Sequence, residues 1–451
     1  MIPTSQLLET GLPWMPTCPG HWSVVRPKTI FRRMQRPVRP EDGVVTAFRD
    51  GVVTLRSNRR TTGFTEALQE IGYQGIRKGD LVIHAMDAFA GAIGVSDSDG
   101  KGTPVYSVCQ ATGDANSWYY ALVLREMSRS GYLLSLAKGI RERSTDFRFA
   151  DFASLLVPLP PLEEQEQIVR FVRHLDSKVN RLIKAKRRLI ELLNEQKQAI
   201  IHQAVTRGLD PTVPLKPSGI FWLPEIPEHW KPVRVKSVLL NLNNRRIPLS
   251  SPERGQMTIR AFDYYGASGV IDKVDEFIFD DELLLIAEDG ANLVLRNLPL
   301  AIIARGQFWV NNHAHILKPK HGVLEYWAML LECVNYMPWI SGAAQPKLTK
   351  DRIMAVPIPC PPSDEQKAIV ESVTLETAGI RLAIDKTKRE IDLIREYRTR
   401  LVADVVTGQL DVRQHPWANT EIEDSIEAIL DGEELEDGLE ETDDVLEEVG
   451  V

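Results

Sequence analysis

Pro160-Pro161-Leu162-Glu163-Glu164-Gln165-Glu166-Gln167-Ile168-Val169 returns as Pro361-Pro362-Ser363-Asp364-Glu365-Gln366-Lys367-Ala368-Ile369-Val370, an offset of 201 residues. The match continues without a gap to Thr206-Arg207-Gly208-Leu209-Asp210 against Thr407-Gly408-Gln409-Leu410-Asp411. A second pairing lies upstream, where Trp14, Pro16, Pro19, His21 and Trp22 match Trp222, Pro224, Pro227, His229 and Trp230. Between the matched stretches each copy carries sequence that does not match. Variable block, shared helix, variable block, shared helix is the resulting order, a duplicated architecture that outranks any single motif.

Each Pro-Pro pair marks a stop before a helix, because proline fixes an extended approach and is tolerated at a helix start. Ser363 with Gln366 has capping-box spacing, while the first copy relies on Glu163 and Glu164 against the helix dipole. Downstream, Val373, Ile380, Ile384, Ile391 and Ile394 fall on a 3,4 alternation, with Arg398 the one clear exception. Val172, Val179, Ile183, Ile190 and Leu193 follow it in the first copy, interrupted by Asp176, Lys186 and Lys197. Such a seam predicts a coiled coil. Two seams of similar length most economically satisfy each other as an intramolecular antiparallel pair; pairing of each with another subunit is the rival arrangement. Gly208 and Gly408 suit helix termination, and Pro211, Pro214 and Pro217 predict a stiff linker.

The variable blocks have another character. Asp50-Gly51 between β-branched runs is a hairpin signal. Residues 81–84, 105–109, 276–286, 300–304 and 313–317 read as strands, and residues 118–127 and 323–334 as short helices. The fold class expected is α+β: two globular blocks joined by two long antiparallel coiled-coil helices, with an internal pseudo-twofold repeat. Domain boundaries follow at 1–159, 160–210 for the first helical spacer, 211–218 for the linker, 219–360, 361–411 for the second spacer, and 412–451.

The net charge of −8 misleads. Residues 421–451 hold 15 acidic groups and no Lys or Arg, so 54 basic residues face only 47 acidic ones in the remainder. A run of this composition reads as a disordered tail; competition with nucleic acid for the chain's own basic surface is its functional reading, a solubilising role the plain one. No apolar stretch approaches the ~20 residues that span a bilayer, and no basic-then-apolar leader opens the chain, so a cytoplasmic protein without a membrane partner is expected. Cys18, Cys109, Cys333 and Cys360 lack metal-ligand or disulfide spacing and read as structural thiols.

The phosphate-cradling Gly-x4-Gly-Lys-Ser/Thr is missing: five residues separate Gly94 from Gly100, and Gly102 follows Lys101. No glycine-rich dinucleotide loop and no adenine-methyltransferase motif is found. His313 and His315 on one strand face could form a metal pair, Asp97 to Gly100 resembles part of a calcium loop, and Glu288-Asp289 could be catalytic carboxylates; each fits a polar surface better, so no catalytic or metal residue is assigned. Nucleic-acid binding fits more broadly. Arg56, Arg59, Arg60 and Lys78, then Arg141 and Arg143, give the first block its cations, and Arg296, Arg305, Lys347 and Lys350 the second, with Asn311 and Asn312 able to read base edges.

Taken together, these residues resemble the specificity subunit of a type I restriction-modification system, over the chain up to about Arg413. The repeated Pro-x-Pro-Pro-x-(Glu/Asp)-Glu-Gln-x-x-Ile-Val helix starts, the Thr-x-x-Leu-Asp ends and the Trp-x-Pro-x-x-Pro-x-His-Trp openings carry the resemblance, with Gly79-Asp80 and Gly306 to His313. It implies that the blocks are target-recognition domains, each reading half of a split sequence in double-stranded DNA. It also implies a non-catalytic chain that binds two modification (methyltransferase) subunits and restriction (motor-nuclease) subunits. Those partners would bring S-adenosylmethionine, ATP and magnesium, and this chain no cofactor of its own. Two other readings compete: a fused enzyme, and an adaptor that never touches DNA.

Overall fold

The computed structural model describes residues 2–4, 6–59, 70–136, 146–342 and 345–420. Arg60, Arg141, Arg143 and the acidic run 421–451 lie outside the described residues. Four helices organise the rest: α1 (Ser117–Arg129), α2 (Leu162–Arg207), α3 (Leu324–Cys333) and α4 (Ser363–Val406). Helices α2 and α4 are the two long repeats, 46 and 44 residues, or about 69 and 66 Å at 1.5 Å per residue. Glu163 and Glu164 in one first turn, Asp364 and Glu365 in the other, favour the positive end of the dipole. Gly208 (φ 78°) and Gly408 (φ 73°) end them in the left-handed conformation that glycine adopts without a Cβ penalty.

Two compact units result, Met1–Lys186 with Arg389–Val451, and Arg187–Lys388. The sequence reading set the spacers apart from the blocks; in the structure each unit contains a block together with the start of one long helix and the end of the other. Burial explains this. In the first unit Val169, Val172 and Leu175 of α2 share a core with Leu401, Val402 and Val405 of α4 and with Tyr119, Tyr120 and Leu124 of α1. In the second, Ala204 and Val205 of α2 share a core with Ile369 and Val373 of α4 and with Tyr326, Trp327 and Leu330 of α3. Neither helix can bury its seam without the other.

The pairing is antiparallel, and the breaks in the seam explain themselves. Arg398 donates to both oxygens of Asp176 at 2.8 and 2.9 Å, and Lys186 bonds Glu390 at 2.5 Å. Among the seam positions Val172, Ile183, Val373, Ile384 and Ile391 are buried, and Val179, Ile190, Leu193, Ile380 and Ile394 half-buried. A two-helix seam leaves its flanks wet.

In the first unit a four-stranded sheet is built from β1 (Phe31–Arg33), β2 (Leu81–His84), β3 (Ile93–Val95) and β4 (Tyr106–Ala111), in the order β3-β2-β4-β1. The Asp50-Gly51 hairpin forms between Val45–Ala47 and Val53–Leu55, with Gly51 at φ 95°. The second unit has a six-stranded sheet of β5 (Leu239–Asn241), β6 (Phe262–Gly266), β7 (Gly269–Val274), β8 (Phe279–Ala287), β9 (Ala301–Val310) and β10 (Ala314–Pro319), in the order β5-β10-β8-β9-β6-β7. Its pairs are antiparallel except β6 with β9.

Two local expectations are corrected. Residues 211–218, read as a linker, already enter the strand Leu215–Ile220, which pairs with Leu223–Pro227; Pro217 is accommodated beside a register shift, where a missing N–H costs least. The Ser363/Gln366 capping box gives way to a different use of Gln366. That side chain is 1% exposed and turns inward, donating to Pro361 O at 3.1 Å and accepting from Val323 N at 3.0 Å.

Candidate nucleic-acid interface

Repeated motifs converge on one junction in each unit. Gln165 accepts from Asn116 N at 2.9 Å and donates to the carbonyls of Asp114 and Pro160 at 2.8 Å each. Its counterpart Gln366 serves Val323 in the same way, and Asn116 and Val323 are the residues that open α1 and α3. Tyr119 of α1 then donates to Val406 O at 3.1 Å, and Tyr326 of α3 to Val205 O at 3.3 Å. Val205 and Val406 are themselves 201 apart. Burial pushes both phenols up, keeping them neutral donors to a last-turn carbonyl that lacks a helical partner. His21 bonds Glu164 at 2.8 Å and His229 bonds Glu365 at 2.8 Å, while Trp22 closes over Gly408 and Trp230 over Gly208. A Cβ at Gly408 would lie 2.5 Å from Pro19 and 2.7 Å from Trp22. One set of hardware thus holds two dissimilar blocks.

On the second block, the ends of β8 and β10 gather a polar cluster. Glu288, its side chain 12% exposed, takes Arg246 at 2.6 Å and Lys347 at 3.5 Å. Arg246 also donates to the carbonyls of Asn312 and Ala314, at 2.9 Å each. Beside it, His313 Nδ1 lies 2.8 and 3.0 Å from the Asp289 oxygens, and this hydrogen bond raises the imidazole's pKa. His315 is fully buried; its Nε2–H donates to Leu348 O at 2.6 Å and Nδ1 accepts from Asn243 at 2.8 Å, so burial lowers its pKa and it stays neutral. The two imidazoles of the His313/His315 pair are therefore committed to different partners. Among the described residues no group of three or more His, Cys, Asp and Glu is arranged to hold a metal. What faces solvent is a set of donors, His313 and Lys347 beside the half-buried carboxylates of Asp289 and Glu288, with Asn312 exposed next to them. Such an array suits phosphate oxygens or the acceptor edges of bases.

The other candidates are dispersed. Asn311 is 5% exposed and fixes the turn by accepting from His313 N at 2.8 Å. Arg296, at φ 54°, ties down the end of α3 by donating to Glu332 O at 2.7 Å and to Val334 O. Arg305 pairs with Glu325 at the start of α3 and with Glu282 at 3.4 Å. Lys350 is exposed at the first turn of Lys350–Ala355. In the first block Arg56 bonds Thr46 across the hairpin at 3.3 Å, and Arg59 pairs with Asp50 while stacking 4.4 Å from the Phe48 ring. Lys78 is exposed on the turn where Asp99 accepts its backbone N–H. Sequence reasoning missed Arg246, Tyr119 and Tyr326; the Tyr119-Tyr120-Ala121 and Tyr326-Trp327-Ala328 runs were the available signal for the last two.

Cys18 and Cys109 are buried, and burial pushes the half-buried Cys333 thiol up to about 12, the state of unreactive structural thiols. No helix of the described residues is long and apolar enough to cross a membrane.

The model of the type I restriction modification DNA specificity domain matches residues 116–192 and 227–390, more than half of the chain. A Haemophilus influenzae protein carrying the name of a type I restriction enzyme specificity subunit is 35% identical over 151 residues, 33% of this chain and 37% of that one. The MjaVIII specificity subunit of Methanocaldococcus jannaschii is 24% identical over 314 residues, covering 65% of this chain and 70% of its own length. A chain from a structure of a type I R-M system, titled for its complex assembly and conformational transition, superposes with a TM-score of 0.57 at 17% identity over 87% of this chain and 99% of that one, a likeness of fold. Both matched regions end within the long helices, each beyond one of the two junctions, and the chain belongs to the family of type I restriction-modification specificity subunits.

Proposed function

We propose that this chain is the address-reading scaffold of a type I restriction-modification complex: a non-catalytic subunit that recognises a bipartite DNA target. The duplicated junction carries the reading. Gln165, Tyr119 and Trp22 in one unit, and Gln366, Tyr326 and Trp230 in the other, grip the same two helices, yet the blocks they hold share neither strand order nor surface residues. Conserving the grip while varying what is gripped suits two unlike half-sites.

In the second block the donors His313, Asn312 and Lys347 would meet bases or phosphates, with Lys350 on the flank; in the first, Arg56, Lys78 and the hairpin turn around Asp50-Gly51 would do so. Phosphate contacts set register and base-edge contacts set sequence. Leu189, Leu192, Leu375 and Leu382 of the second unit, and Leu182, Leu393 and Tyr397 of the first, are exposed apolar residues on α2 and α4. They are candidates to dock two modification subunits, which would supply S-adenosylmethionine, with ATP- and magnesium-dependent restriction subunits joining them.

Strand-resolved mapping of methylated adenines in cells carrying the complete system tests the reading. Two dissimilar half-sites at a fixed gap are expected, and exchange of residues 231–350 for a relative's block should alter one half-site only. A contiguous target, or change in both halves, would contradict it.

A further inference from the structure

An aspartate stands at matching places in the two dissimilar blocks. Leu81, Ala85 and Asp87 correspond to Leu283, Ala287 and Asp289 at a constant offset of 202 residues, and each aspartate follows the end of its strand, β2 in one unit and β8 in the other. Each carboxylate is partly covered and holds a basic side chain that reaches solvent. In the first block that side chain is Arg49, 65% exposed and 3.2 Å from Asp87. In the second it is His313, 47% exposed, with Nδ1 2.8 and 3.0 Å from the Asp289 oxygens. The same arrangement therefore ends once in a guanidinium and once in an imidazole.

The two groups differ in one respect that matters: a guanidinium keeps its charge at every physiological pH, and an imidazole does not. Backbone bonds fix where the ring stands. Asn311 accepts the His313 N–H at 2.8 Å, His313 O accepts from Glu288 N at 2.8 Å, and Glu288 O accepts from Leu348 N at 2.7 Å. An ionised carboxylate only accepts, so Nδ1 carries a hydrogen in both protonation states of the ring. Nε2, without a partner among the described residues, is the atom that changes. Protonated, it donates; neutral, it presents a lone pair.

The other ionisable groups around the ring nearly offset one another. Glu288 adds negative charge, Lys347 opposes it at 3.5 Å, Arg246 pairs with Glu288 at 2.6 Å, and His315, two residues on, is neutral. The hydrogen bond to Asp289 prevails and holds the His313 pKa above the usual imidazole value. We propose that His313 makes a proton-dependent contact with duplex DNA, its imidazolium Nε2–H donating to a phosphate oxygen or a purine N7, with Asp289 as the positioning residue and Arg49 as the permanently charged counterpart in the first block. This rests on the reading of the blocks as DNA readers, and adds that only one of the two half-sites is held through a titrating group. Loss of the proton sets two lone pairs against each other, so affinity falls as pH rises through the His313 midpoint.

The test titrates the methyltransferase complex, assembled with this chain or its variants, with its mapped target duplex from about pH 6 to about pH 8.5, on either side of the imidazole range. His313→Arg and His313→Gln share every other titration in the complex, so the profiles differ only through residue 313. The unaltered complex should follow His313→Arg at low pH and His313→Gln at high pH, a crossing of about tenfold in Kd. Asp289→Asn should move that crossing to lower pH. Methylphosphonate linkages or 7-deazapurines in the half-site assigned to residues 231–350 identify the acceptor, since one of the two should abolish the crossing, while the same changes in the other half-site leave it. An unaltered profile parallel to His313→Gln throughout, a crossing that Asp289→Asn does not move, or one that survives both DNA substitutions would each overturn the assignment. A methylation map without a bipartite target would instead remove the parent reading, and that is a separate measurement.

Discussion

The ion pair between Asp176 and Arg398 offers the most direct test of how the long helices choose their register. Both groups sit on the α2/α4 contact, two hydrogen bonds of 2.8 and 2.9 Å join them, and the side chains remain 33% and 36% exposed. Bidentate geometry puts the pair at the upper end for exposed ion pairs, and solvent screening holds it to about 1 kcal/mol. Single substitution measures something else, because Arg398 also lines a cavity with Phe89 and Leu122 and loses that packing when truncated. A double-mutant cycle of Asp176→Ala and Arg398→Ala isolates the pair. Amide exchange of the surrounding helix turns should rise in each single variant, with a coupling of about 1 kcal/mol, or about fivefold in rate, shrinking at ~1 M salt. The exchanged variant Asp176→Arg with Arg398→Asp should recover much of the protection. Coupling under about 0.3 kcal/mol would show that apolar packing alone sets the register, refuting the idea that these seam breaks are matched to one another.

Gln366→Ala strands the half-buried Val323 N–H, at a cost of about 1 kcal/mol, so exchange at that amide should accelerate about fivefold while the first unit is unaffected. Because Asp289 raises the His313 pKa, that pair stabilises the fold fully below the unfolded value of about 6.5 and loses its contribution as pH rises through the folded value. Asp289→Asn should lower the His313 midpoint in an NMR titration; an unmoved midpoint would remove Asp289 as the cause. Gly94→Ala would set a Cβ 2.0 Å from the Gly51 carbonyl, so a loss of about 3 kcal/mol in urea denaturation is expected, against little change for Gly255→Ala, where nothing lies within 4 Å.

The repeat made much of this fold legible. Helix starts, glycine stops, the Asp50-Gly51 hairpin and the antiparallel partnership follow from spacing and propensity, which are local quantities. Even the exceptions were visible, though not their resolution: Arg398 broke one seam and Asp176 the other, and only the antiparallel register matches them. Gln366 shows the limit. Its spacing from Ser363 satisfies a local capping rule, but burial against the start of α3 gives its amide two tertiary partners, and a buried amide takes those first. The interface was harder to read for the same reason. Arg59 and Arg296 have the composition of nucleic-acid contacts, yet Asp50 and the carbonyls of Glu332 and Val334 engage them within their own block, while Arg246 became interesting only once β8 and β10 brought Glu288 to it.

If the long helices set the gap between half-sites, their length has to act through geometry that DNA also obeys. Insertion into one helix alone would slide its two ends apart, so that either Asp176 and Lys186 lose Arg398 and Glu390 or Ala204 and Val205 lose Ile369 and Val373, and both helices must be lengthened together, near residues 190 and 386. One heptad adds about 10.5 Å, or about three base pairs of axial rise. DNA turns by roughly a third of a revolution over that distance, whereas a seven-residue insertion in a 3.5-residue seam leaves the helix face unrotated, so the second block would meet the wrong side of the duplex. Three heptads add about 32 Å, close to the ~34 Å of one DNA turn. The complete system carrying the three-heptad variant is therefore expected to methylate a target whose gap is longer by about 9 to 10 base pairs, with both half-sites unchanged, and the system carrying the one-heptad variant to be much less active. Equal activity of the two, or an unaltered gap in either, would mean that something other than the paired helices fixes the spacing.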